Sequence, residues 1–262
     1  MTGLNPTGID AYKPSEIAQL VEGAGVTKAR LPLSQMLVLA GLAGAFIALG
    51  AAAYTMVMTG VDPGFGPNRF LGGIVFSLGL VLVIVAGAEL FTGNALMIMA
   101  AVDRKITPSE LGRAWIVVYV GNFIGAILIA GLVAATGLLE GAMGDAAQTI
   151  AEAKMTLGTT EALARAILCN ILVCLAVWLA IAARTAAGKV LIILLPIAAF
   201  VALGLEHSIA NMYLIPQGIL AGAPADWGAG LHNLAVVTLG NIIGGAGGVA
   251  LSYRYAYGSH RV

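Results

Sequence analysis

The chain has 262 residues, 60% of them hydrophobic and only 10% charged, with a mean hydropathy of +0.96. A soluble domain carries roughly 25% charged residues, so this composition excludes one and points to an all-α integral membrane protein. The 13 basic and 13 acidic residues cancel, which argues against nucleic acid as a partner and against strong binding to a lipid surface.

In chain order, residues 1–35 are mixed polar. They carry no basic region with a cleavage site and read as a cytoplasmic extension. Within them Ile17, Leu20, Val21 and Ala24 recur at helical spacing opposite Glu16, Gln19 and Glu22. That pattern predicts an amphipathic helix, too short to span, lying at the interface or against a pore mouth. Apolar runs follow at 36–58, 71–101, 114–135, 163–183, 190–220 and 231–250. They predict six crossings in one domain over 36–257, with 258–262 as a cytoplasmic tail. The second and fifth runs are 31 residues each. A bilayer core needs only about 20 helical residues, so both helices are expected to break near the middle, where polar residues cluster.

Basic residues set the orientation. Lys13, Lys28, Arg30, Arg104, Lys105, Arg113, Arg184, Lys189, Arg254 and Arg261 fall on one side, and only Arg69, Lys154 and Arg165 on the other. The positive-inside rule then places both termini of a multi-pass membrane protein in the cytoplasm. Tyr253, Tyr255 and Tyr257 fit an aromatic belt where the last span leaves the bilayer.

The chain repeats itself. Gly87-Ala88-Glu89-Leu90-Phe91-Thr92-Gly93-Asn94 returns as Gly204-Leu205-Glu206-His207-Ser208-Ile209-Ala210-Asn211, and Gly121-Asn122-Phe123-Ile124-Gly125 as Gly240-Asn241-Ile242-Ile243-Gly244. Two matches at nearly one offset define repeats at about 36–135 and 163–257. Each holds three crossings, an odd number, so the repeats are inverted in the membrane. Inverted repeats with matching discontinuous helices mark a transport path near the midplane. The glycines of the last span, Gly240, Gly244, Gly245, Gly247 and Gly248, are read as close helix packing.

A broken helix must face protein or water, because lipid satisfies none of its freed backbone groups. Asn94 and Asn211 are expected to cap the restarting half-helices, whose N-termini attract an anion. Glu89 and Glu206 fill one slot in both repeats. They are expected to brace the unwound backbone, with proton relay as the alternative, since a free carboxylate would repel an anionic cargo. The symmetry fails at His207, opposite Leu90, and at Thr92, opposite Ile209. These two donor-bearing side chains on facing loops are the leading candidates for substrate contact, and the imidazole can donate a hydrogen bond or pass a proton. For Asn122, Asn170 and Asn241, interhelical hydrogen bonding competes with substrate contact. Cys169 and Cys174 diverge on one helix and are read as small buried hydrophobes. No metal-ligand spacing or cofactor motif is present in the sequence. Glu206, His207 and Ser208 are adjacent on one backbone, point in different directions and are poorly suited to converge as a triad, which argues against an enzyme.

These residues resemble the formate/nitrite transporter family. The resemblance runs through Glu22-Gly23-Ala24-Gly25-Val26, Phe76-Ser77-Leu78-Gly79-Leu80, Glu89-Leu90-Phe91-Thr92, Gly121-Asn122, Val173-Cys174-Leu175-Ala176-Val177-Trp178, Glu206 to Met212 and Gly240 to Gly244. It implies an aquaporin-like homopentamer with a substrate pore in each protomer and a central pore that is not the anion path. It implies further that Thr92 and His207 are the central loop threonine and histidine, and Lys154 a vestibule lysine 16 residues before Asn170. Phe76 and Phe200 would form the periplasmic constriction, Leu80 and Leu90 the cytoplasmic one. Asn170 and Asn241 are placed on the same pathway. Met212 to Pro216 resembles the formate branch, with nitrite or hydrosulfide as the alternative cargo and Gly93 a departure in the first loop. Protonation at His207 would let formate cross the apolar rings as a neutral acid.

Overall fold

The computed structural model describes residues 10–62 and 64–258. Residues 1–9 and 259–262, with Arg261 and most of the expected tail, lie outside them. Ten helices fill the described residues in two successive sets of five. The first set is α1 (Pro14–Ala29), α2 (Leu33–Val57), α3 (Gly66–Gly87), α4 (Phe91–Val102) and α5 (Pro108–Ala135). The second is α6 (Ala142–Met155), α7 (Thr159–Ala182), α8 (Ala186–Ala202), α9 (Ser208–Leu220) and α10 (Trp227–Tyr257). By length and composition α2, α3, α5, α7 and α10 are each long and apolar enough to cross a bilayer. The shorter apolar helices α4 and α8 continue and precede the two interruptions.

The second apolar run stops after Gly87 and restarts at Phe91, with Ala88 and Leu90 in extended conformation. The fifth stops after Ala202 and restarts at Ser208. Gly87 (φ 87°) and Gly204 (φ 67°) take the left-handed conformation that ends a helix and favours glycine. The expected caps are corrected here. Leu90 and His207 occupy the cap positions, while Asn94 and Asn211 lie one turn inside α4 and α9. Asparagine is a good cap by propensity, but these two amides are used elsewhere.

Helix α6 has no counterpart in the apolar runs. Its buried residues are Met143, Gly144, Ala147 and Ala151, a narrow stripe of mostly small side chains. The stripe allows close approach to α9, because a Cβ at Gly218 would press on the Ala147 carbonyl oxygen (2.6 Å) and the Ala151 methyl. Helix α1 likewise buries Ile17, Val21 and Gly25 and rests on α4. The expected helix is present over Pro14–Ala29, but its faces are corrected: Leu20 is exposed, and Glu22 is buried because it accepts from Lys105 Nζ at 2.7 Å.

Each set of five thus begins with a short helix packed on its own half-helix, α1 on α4 and α6 on α9. In α10 the backbone widens into π-type turns over Ile243–Leu251. Gly240, Gly244, Gly245 and Gly248 face α7, where a Cβ would meet its atoms, and Gly247 meets nothing within 4 Å.

Candidate functional site

The two interruptions are braced bond for bond alike. Asn122 on α5 accepts from Phe91 N at 2.9 Å and donates to the carbonyls of Ala40 (2.8 Å) and Glu89 (2.9 Å). Asn241 on α10 accepts from Ser208 N at 2.9 Å and donates to the carbonyls of Ala166 (2.8 Å) and Glu206 (2.9 Å). The Glu89 and Glu206 amides donate to Leu39 O and Arg165 O. Each asparagine satisfies backbone groups that a buried break leaves without helical partners.

The carboxylates do something other than expected. Glu89 accepts from Lys28 Nζ (2.7 Å) and Asn94 Nδ2 (2.8 Å), and Glu206 from Lys154 Nζ (2.9 Å) and Asn211 Nδ2 (2.6 Å). Side chains satisfy them, and Asn122 and Asn241 hold the unwound backbone in their place. Lys28 and Lys154 come from the last turns of α1 and α6. Each short helix therefore delivers one ammonium to one break, which neutralises a charge that is costly to bury alone. Lys154, expected in a vestibule, has its charge already paired with Glu206.

Between the breaks, Thr92 Oγ1 and His207 Nε2 are 2.9 Å apart, and both residues are buried. His207 Nδ1 accepts the Ala210 amide hydrogen at 3.0 Å, so the imidazole caps α9. That bond leaves Nδ1 without a proton and puts the ring hydrogen on Nε2, facing the Thr92 hydroxyl. Asn170 Nδ2 donates to Thr92 O (3.2 Å) and Asn241 O (2.6 Å), and Cys174 Sγ approaches Thr92 O at 3.4 Å. Cys174 is thus a buried small side chain that also steadies the threonine, and neither cysteine is in a disulfide.

Aromatic rings lead outward from this point. Phe200 stacks on His207 (centroids 5.9 Å apart), Phe76 meets Phe200 edge-on at 5.5 Å, and Tyr54 meets Phe76 edge-on at 6.4 Å. A pocket of 70 Å³ lies here, lined by Tyr54, Phe76, Phe200, His207 and Lys154 among others. Beyond it opens a cavity of 450 Å³ whose lining includes Arg69, Lys154, Arg165, Asp145 and Glu206. Leu80 and Leu90 are buried in the main core cluster and line neither space. Among the described residues no three His, Cys, Asp or Glu side chains are placed to hold a metal ion.

The profile of the formate/nitrite transporter family matches residues 15–255. The chain is 44% identical over 249 residues to the uncharacterized transporter YrhG of Bacillus subtilis (strain 168), covering 94% of this chain and 93% of that one. It is 38% identical over 271 residues to the formate channel FocA of Escherichia coli (strain K12), covering 95% of each. A solved pentameric formate channel with formate bound superposes with a TM-score of 0.80 at 39% identity, covering 86% of this chain and 97% of that one. The chain belongs to the formate/nitrite transporter family.

This formate/nitrite transporter is accordingly a multi-pass membrane protein. Several residues of its candidate site escaped the sequence reading. Tyr54 looked like one aromatic in an apolar run, yet its ring lines both spaces. Asn233 accepts from Asn211 (2.8 Å) and donates to Lys154 O (2.9 Å), tying α6, α9 and α10 together. Lys28 reads in the sequence only as a topogenic charge. The signal that identifies it is its place one helix ahead of the first repeat, matching Lys154 ahead of the second.

Proposed function

We propose that this formate/nitrite transporter conducts formate through each protomer, along a path from the 450 Å³ cavity, past Phe76 and Phe200, to Thr92 and His207. The observation that carries the reading is the 2.9 Å Thr92–His207 contact between the starts of α4 and α9. Two helix N-termini, a hydroxyl and an N–H converge there, and all of them favour a small anion. Asn170 and Asn241 shape the path from behind by holding Thr92 and Ser208 in place. Release runs past Leu80 and Leu90. The formate channel FocA and the formate-bound pentamer support this cargo and a homopentameric assembly.

In this reading the domain over about 36–257 is two inverted three-crossing repeats, with α3–α4 and α8–α9 each counted as one broken crossing. The bond-for-bond bracing of the two breaks supports that layout, and the charge distribution supports cytoplasmic termini in the inner membrane. A proton accompanies the anion by way of His207, because an anion in an apolar ring costs far more than a neutral acid. Initial uptake rates of formate and of nitrite into proteoliposomes test the cargo. Faster formate entry than into protein-free vesicles is expected. Nitrite preference would change the cargo and keep the pore, and no anion flux would end the transport reading.

A further inference from the structure

Three basic residues face the outer cavity, and their charges are unequally committed. Lys154 is paired with Glu206 at 2.9 Å. Arg165 is held at both ends, by Glu161 and by Gly204 O at 3.1 Å. The Arg69 side chain has no carboxylate within 4.0 Å and no hydrogen-bond partner among the described residues. Its guanidinium nevertheless does not point away from the protein. A Cβ added at Gly204 would collide with Arg69 Nη2 and would stand 3.5 Å from Arg165 Nη1. Both guanidinium heads therefore meet over one glycine, within about 6 Å of each other, where like charges repel unless an anion lies between them.

The other break lacks this device. Gly87 shares the left-handed conformation of Gly204, but a Cβ there would meet nothing within 4 Å. The backbone bond from Glu89 ends on Leu39, where that from Glu206 ends on Arg165. An arginine thus stands in one half opposite a leucine in the other. Gly204 and Lys154 line both the outer cavity and the inner pocket, so the paired guanidinium groups sit at the junction between them. Asp145 also lines the outer cavity and takes no part in these contacts.

We infer that Arg69, with Arg165 beside it, forms an outer binding subsite for a small carboxylate anion, occupied before the anion reaches Phe76 and Phe200. This rests on the transport reading above. A guanidinium presents N–H groups in a planar fork that matches the two oxygens of a carboxylate, which an ammonium does not. Arg165, pinned by Glu161 and Gly204, fixes one wall of the subsite, and Arg69 supplies the uncommitted charge. The subsite raises the local anion concentration at one mouth of the pore only.

The test is the concentration dependence of formate uptake into proteoliposomes holding wild type, Arg69→Gln or Arg69→Lys, at low and at high ionic strength. For Arg69→Gln the half-saturating formate concentration is expected to rise by roughly three- to ten-fold, with the maximal rate unchanged and the salt dependence flattened. Arg69→Lys keeps the salt dependence and loses part of the affinity. If the glutamine variant fails to reconstitute, the lysine variant carries the test, and wild-type half-saturation in it overturns the subsite. A glutamine variant with wild-type half-saturation and salt response overturns it equally. A wild type that moves no formate is a different result, and overturns the transport reading together with the subsite.

Discussion

Thr92 and His207 are separated by 115 residues and hydrogen-bonded at 2.9 Å, and each is a position where one half of the chain departs from the other. Leu90 stands in the histidine's slot and Ile209 in the threonine's. The bracing of the two breaks is matched in its asparagines, its carboxylates and its lysines. Symmetry builds the site, and its two exceptions furnish the polar contact in the middle.

His207 has two separable tasks, capping α9 through Nδ1 and meeting Thr92 through Nε2. Asparagine replaces the cap and phenylalanine does not. His207→Asn and His207→Phe should both lower gradient-driven formate uptake by about ten-fold or more. Only the phenylalanine variant should also lose about 1 kcal/mol of stability with the cap. Uptake assays and thermal unfolding in detergent separate the two effects.

Asn122 and Asn241 each make three hydrogen bonds to backbone, two of them to groups of the interrupted segment that have no helical partner. Alanine at either position should cost about 2–4 kcal/mol, less than three full bonds because the relaxed break recovers some partners. The two variants should be destabilised alike, as measured by thermal unfolding of the purified protein.

Much of this was legible in the sequence for physical reasons. A 31-residue apolar run is too long for one straight crossing, and a motif recurring in both such runs marks where each one breaks. His207 and Thr92 were visible because a repeat exposes its own exceptions. The partners were not visible. Whether Glu206 bonds backbone or Lys154 depends on where α6 lies, and α6 is too short and polar to register as an apolar run. Asparagine capping followed propensity, and the burial of Asn94 and Asn211 beside carboxylates overrode it.

Lys154 and Glu206 form a half-enclosed ion pair, the side chains 14% and 5% exposed. Lys154→Met strands the carboxylate with Asn211 and should cost about 3–5 kcal/mol, whereas the double variant with Glu206→Gln should recover much of that loss. A double-mutant cycle by thermal unfolding gives the coupling. Additive losses would mean the pair contributes little.

Phe76 and Phe200 line the inner pocket and meet edge to face. Phe200→Ala widens that point and removes its stacking on His207. Acetate, larger by one methyl, should gain on formate by about ten-fold in relative uptake rate. An unchanged acetate-to-formate ratio would place the size filter elsewhere.

The central claim is that the anion passes between Thr92 and His207. Thr92→Val keeps the shape of the side chain and removes only its hydroxyl. The decisive measurement is formate flux into proteoliposomes of wild type and Thr92→Val, with and without an inward proton gradient. The account predicts gradient-enhanced uptake in the wild type and loss of most of that flux in the variant, with assembly unchanged. Wild-type flux through Thr92→Val would contradict it.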